Sequence, residues 1–154
     1  MEIKRAFPED LTDTVIGEIG CFMNAGFLEE GADWKFNPET FGAFWKFVIS
    51  KGIGAMFLLK RGLGTVGIAT VLADINPLTG EYQAMSVNWR LESGLKGLGW
   101  GAKLLDAVEF WAVSMGVKRL IVHCPLENVS WVGKFKKRFS PVGIVFIRTM
   151  EKKE

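Results

Sequence analysis

The stretch Lys96-Gly97-Leu98-Gly99-Trp100-Gly101 sets three glycines at alternate positions and leads straight into an amphipathic segment. Leu104, Leu105, Val108, Trp111, Ala112 and Met115 recur there at helical spacing, with Lys103, Asp106, Glu109 and Ser114 between them for a solvent face. Glycine tolerates backbone angles that strain other residues, so such a loop turns tightly and approaches a ligand closely. The first N–H groups of a helix have no intrahelical acceptor, and the helix dipole adds positive potential at that end. A glycine loop opening a helix is therefore an anion site, and the ligand expected here is the pyrophosphate of a nucleotide-like cofactor.

The rest of the chain decides which fold carries this junction. Ile3 to Phe7 reads as a strand that Pro8 ends, and Leu11, Val15, Ile16, Ile19 and Met23 form one face of a first helix. Residues 24 to 37 read as a loop. Asn37-Pro38-Glu39 is a helix start, with a capping side chain, a proline in the first turn and an acid at the positive end. The buried face of that second helix is expected at Phe41, Phe44, Trp45, Val48 and Ile49, with Gly52 ending it. Three strands follow, Ala55 to Lys60, Thr65 to Ile75 and Glu81 to Leu91, joined by turns at Gly62-Leu63-Gly64 and Asn76 to Gly80. Beyond the central helix, Leu120 to Cys124 is an apolar run suited to a buried strand, residues 127 to 139 form a last helix, and Val142 to Met150 a last strand. The order is β-α-α-β-β-β-α-β-α-β, which predicts a single α/β domain over 1–154. Its sheet is mixed, mostly antiparallel and flanked by helices.

Two other glycine patterns do not qualify as cofactor loops. Gly62 to Gly67 matches a dinucleotide fingerprint letter for letter, but strand residues follow it, so it reads as a hairpin turn. Gly94 to Gly99 resembles half a phosphate loop, yet Trp100 stands where the lysine belongs.

The segment Lys96-x-x-Gly99-x-Gly101, placed after a strand and before a helix in this element order, resembles the acyl-CoA motif of the GNAT superfamily of N-acetyltransferases. Lys96 stands in for that motif's usual Gln or Arg. The resemblance spans nearly the whole chain and implies acetyl-CoA as acyl donor and a primary amine, on a small molecule or peptide, as acceptor. It also implies that Leu91, Lys96, Gly97, Leu98, Gly99, Trp100 and Gly101 hold the cofactor, between splayed strands at Glu81 to Leu91 and Leu120 to Cys124. Asn128 suits the position of the family's pantetheine-binding Asn. Seven residues on, Phe135 occupies the place of the family's tyrosine acid and has no hydroxyl. The resemblance also places His123 where ribosomal-protein acetyltransferases carry a glutamate base, and imidazole is the side chain that exchanges protons around neutral pH. The alternative at this position is a hydrogen-bonded structural histidine. The middle of the strand before the loop, Ala84-Met85-Ser86-Val87-Asn88, carries no acid, and Glu81 and Glu92 at its ends read as solvated. Cys124 alternates to the other side of its strand from His123, which argues against a Cys–His nucleophile. Trp34, Phe36 and Trp89 are expected to line the acceptor site.

Composition removes other classes. A formal charge of +2 gives no general affinity for nucleic acid or an acidic membrane surface. Two cysteines in 154 residues suit a reducing cytoplasm, no metal is expected, and no apolar run has the length of a membrane span. The basic run Lys134, Lys136, Lys137 and Arg138 complements the C-terminal end of the last helix, the alternative being a contact with the cofactor's 3′-phosphate or an acidic partner. Six Trp and twelve Phe are many for this length. With Phe135 and the acid-free strand, they support a second reading: a GNAT-fold protein with reduced catalysis that serves as a binding or assembly subunit. A homodimer is the assembly the resemblance implies.

Overall fold

The computed structural model describes residues 1–31, 33–123 and 139, and the chain divides into two compact units, Met1–Val122 and His123–Glu154. The expected last helix and strand, with Cys124, Asn128, Phe135 and the basic run at 134–138, lie outside the described residues.

The first unit holds five strands and three helices: β1 (Glu2–Arg5), α1 (Asp13–Glu29), α2 (Pro38–Ser50), β2 (Gly54–Arg61), β3 (Gly64–Ile75), β4 (Tyr82–Leu91), α3 (Trp100–Ser114) and β5 (Arg119–Val122). The strands form one sheet in chain order, antiparallel throughout except that β4 and β5 run parallel across the α3 crossover. Alternation along β2 feeds two cores. Ala55, Phe57 and Leu59 pack on the side of Leu104, Val108 and Trp111 from α3. Met56 and Leu58 pack on the other side with Ile16, Ile19 and Met23 of α1 and Trp45 and Val48 of α2.

Local signals behave as the sequence predicts. The Asn37 side chain accepts from the Thr40 N–H at 2.9 Å, and Pro38 opens α2. Gly52 (φ 67°) ends the helix in the left-handed region, where its N–H donates to the Ile49 carbonyl and the Ile53 N–H to the Val48 carbonyl. Gly62-Leu63 is a tight hairpin between paired Arg61 and Gly64, not a nucleotide loop. In α3 the expected apolar face is buried, except that Met115 falls just past the helix and is exposed.

Two expectations are corrected. α1 continues through residues 24 to 29, which read as loop because Asn24 and Gly26 disfavour helix. Tertiary contacts override that propensity: Gly26 is buried, and the Arg90 guanidinium lies so close that a Cβ there would sit 2.6 Å from Nη1. In α2, Phe44 is 45% exposed rather than core and lines a recess with Trp34 and Phe36, its ring edge-to-face with Trp45. Among the described residues no helix is long and apolar enough to cross a membrane.

Candidate functional site

The glycine loop begins where β4 leaves the sheet. A single 3-10 turn (Ser93–Leu95) buries Leu95, whose carbonyl accepts from the Leu98 N–H at 3.3 Å, and this anchors the loop on the α3 side of the core. Gly97 and Gly99 both adopt left-handed angles (φ 83° and 82°), while a Cβ at either would meet nothing within 4 Å. What glycine supplies at both positions is conformation, not space. Gly99 caps α3 without a side-chain bond, and its carbonyl accepts from the Lys103 N–H at 3.2 Å. The N–H groups of Trp100, Gly101 and Ala102 therefore stand at the positive end of a 15-residue helix with no intrahelical acceptor. That arrangement fits a pyrophosphate, whose oxygens need converging N–H donors more than they need a particular side chain.

The side chains around the loop have separate duties. Leu98 is exposed, Gly101 is buried, and Leu91 and Trp100 pack on the α3 core. Lys103 lies over the Trp100 ring, 4.2 Å from its centroid. Lys96 is not free beside the loop. Its ammonium is paired with Glu29 at the end of α1, and that hydrogen bond, with the charge behind it, holds the Glu29 carboxyl below the usual carboxylate range.

Beside the loop, β4 carries the geometry that matters most. Its ladder with β5 runs from Gln83↔Arg119 to Ser86↔Val122 and is not continued among the described residues. Among the described residues, Asn88 to Leu91 pair with β3 alone. On the β3 side the register jumps between Thr70↔Asn88 and Val71↔Ser86, which leaves Val87 as a bulge. The Thr70 hydroxyl accepts the Asn88 N–H at 2.9 Å and fixes the bulge. Tyr82 and Ala84 face the α3 core before the bulge, and Trp89 and Leu91 face it afterwards. Strict alternation would have placed Trp89 on the α1–α2 side. The extra residue inverts the phase, so Trp89 does not join Trp34 and Phe36, and Asn88 takes that place. Trp89, expected beside Trp34 and Phe36, packs instead on the α3 side of the sheet.

On the α1–α2 side, Trp34 and Phe36 line a recess of about 290 Å³ with Met23 and Phe27 of α1, Phe41 and Phe44 of α2, and Asn88 of β4. The segment before α2 is held onto α1 by the Phe36 N–H, which donates to Asn24 Oδ1 at 2.9 Å. Phe27 and Trp34 meet edge to face at 5.8 Å, and Phe36 and Phe41 lie 5.0 Å apart. Arg90 spans the end of α1, lying 5.7 Å over the Phe27 ring and pairing with Glu30 at 2.6 Å. Glu81 and Glu92, expected to be solvated, are each partly exposed in ion pairs with Arg119 and Arg61. His123 follows β5 directly, is exposed and is the first residue of the second unit.

No protein-family model and no curated protein matches the chain by sequence. Solved structures match it by shape. An aminoglycoside acetyltransferase from an uncultured soil metagenomic sample, solved with trehalose and also with sisomicin, superposes with a TM-score of 0.76 in the trehalose complex. That match is at 14% identity and covers 97% of this chain and 96% of the other. The chain has the GNAT fold. A glucosamine-6-phosphate N-acetyltransferase from Arabidopsis thaliana gives a TM-score of 0.72 at 15% identity, covering 97% and 98% of the two chains. A ribosomal-protein-alanine N-acetyltransferase from Brucella melitensis biovar Abortus 2308 gives 0.69 at 12% identity, covering 97% and 99%. Within this fold, Asn88, Phe27 and Phe44 escape sequence reasoning. The face that the Asn88 side chain takes depends on a bulge between two strands, which has no composition signal.

Proposed function

We propose that the protein is an acetyl-CoA-dependent N-acetyltransferase that moves an acetyl group directly to a primary amine. The observation that carries the reading is the pair of left-handed glycines delivering α3 with its N–H groups outward, directly after β4 leaves the sheet. Leu91, Lys96, Gly97, Leu98, Gly99, Trp100 and Gly101 hold the cofactor, chiefly through backbone donors at 99 to 102. Lys96 exchanges Glu29 for a phosphate oxygen, and Asn128 completes the cofactor contacts. When bound, acetyl-CoA supplies an activated thioester carbonyl and a thiolate leaving group.

The acceptor occupies the recess beside Trp34 and Phe36, and its amine approaches past Asn88. His123 takes the proton that the ammonium must lose before its lone pair can attack. With Phe at position 135, the departing thiolate takes its proton from solvent. In this reading residues 1–154 form one acyl-CoA-binding domain that works in the cytoplasm and pairs as a homodimer. Titration calorimetry with acetyl-CoA tests the first step, and absence of heat at high micromolar cofactor refutes it. Thiol release with a panel of amines tests the second, and full activity in His123→Ala removes His123 as base. A binding or assembly subunit is the second reading, favoured by Phe135 and by the absence of an acid at the centre of β4. Cofactor binding without turnover on any amine selects it.

A further inference from the structure

We infer that the recess selects an acceptor with one amine on an aromatic or bulky apolar body, and that it excludes polycations. This deepens the transferase reading and rests on it only for the fate of the amine. The chemistry of the wall decides the matter. Its described lining includes six aromatic rings and Met23, from α1, the segment before α2, α2 itself and no other helix. No carboxylate is among the described lining residues, and the one charged side chain there is Lys35, exposed at the rim. A ring face can hold one ammonium, but each further ammonium would lose its water beside the like charge of Lys35, with no carboxylate among the described lining residues to compensate. A flat apolar body instead meets ring faces and edges already arranged in tilted and edge-to-face contacts.

The size agrees. About 290 Å³ lies at the small end of the ~300–1,000 Å³ usual for ligand pockets, which suits a body of one or two rings. Trp34 is 56% exposed and Phe44 45%, although both are large and apolar, so part of the wall is uncovered surface that a ligand would bury. Asn88 is the polar group contributed by the sheet. Its backbone N–H is already taken by Thr70, which leaves the side-chain amide to meet the amine through its oxygen. Because the bulge turns Asn88 toward the recess, the amine is held at the sheet end of the recess.

The test is titration calorimetry on the full chain with 2-phenylethylamine, ethylamine and sisomicin, each with and without saturating coenzyme A. Phenylethylamine is expected to bind at least about tenfold more tightly than ethylamine, and sisomicin to give no heat. Trp34→Ala and Phe44→Ala, at exposed positions that leave both cores intact, should each weaken phenylethylamine about tenfold with unchanged melting temperature. Phe110→Ala, an exposed aromatic on α3 outside the recess, should change nothing. Equal or tighter binding of sisomicin, or unaltered phenylethylamine affinity in both recess variants, overturns the inference. Acetyl-CoA titrations on the same samples separate the two ideas. Cofactor binding without phenylethylamine binding refutes the recess alone, and the reverse refutes the transferase reading alone.

Discussion

Replacing Gly99 with alanine tests the physical claim on which the cofactor site rests. Gly99 sits at φ 82° with open space around its missing Cβ, so the substitution adds no clash and isolates the conformational term. Holding an L-residue in the left-handed region costs roughly 1–2 kcal/mol. If the loop keeps its shape, that cost appears as lost stability, which for a chain of this size is a fall in melting temperature of about 2–4 °C per kcal/mol. If the loop relaxes instead, the N–H groups of Trp100 and Gly101 turn away, and restoring them on binding costs the same free energy. Acetyl-CoA affinity then drops by a factor of roughly 5 to 30. The control is Gly80→Ala, at φ 70° with equally open surroundings, in the turn at the other end of β4. Both variants should be measured by thermal melting and by calorimetry with acetyl-CoA. Gly80→Ala should lose stability and keep its affinity, whereas Gly99→Ala should lose stability, affinity or some of each. A Gly99→Ala protein that melts within about 1 °C of the parent and binds acetyl-CoA within about twofold refutes the reasoning. So does an equal affinity loss in Gly80→Ala.

Three further outcomes follow from contacts around the site. Glu29→Gln removes a negative charge that holds Lys96 beside the loop, so acetyl-CoA should bind more tightly, by no more than about fivefold because the pair is exposed. Weaker binding would show that Glu29 positions Lys96 rather than competing with phosphate. Thr70→Val leaves the Asn88 N–H without its hydroxyl acceptor, which should cost about 1–3 kcal/mol in chemical denaturation and weaken acceptor binding through Asn88. Asp10 accepts from Lys4 Nζ at 2.6 Å and from the Phe7 N–H at 2.8 Å, and these bonds hold its carboxyl below the usual range. A carboxyl depressed in the folded state stabilises above its unfolded pKa and loses that contribution as pH falls through the folded one. Asp10→Asn should therefore melt lower than the parent at pH 7, and the gap should close below about pH 4 in a melting series.

How legible each feature was depended on how local its cause is. The Asn37 cap, the Gly52 helix end and the apolar face of α3 depend on residues within one or two turns, so their spacing is enough to place them. The same holds for the glycine loop. Alternate glycines before a helical period imply exposed N–H donors in any fold, and the structure realises that with left-handed angles at Gly97 and Gly99. The second half of α1 was not legible, because Asn24 and Gly26 weigh against helix locally while contacts with Arg90 and Phe36 from distant segments weigh for it.

The sequence by itself determined where a glycine loop opens a helix with free N–H donors, the order of elements around it and the absence of an acid from the centre of β4. Tertiary structure alone decided what surrounds that loop and what lines the recess. Lys96 meets Glu29 across 67 positions, and no spacing rule predicts a pair that forms only when α1 ends beside the loop. The bulge at Val87 is a mismatch between two strands rather than a property of either. Since a strand's side chains alternate with period two, that single unpaired residue turned Trp89 into the core and brought Asn88 to the recess.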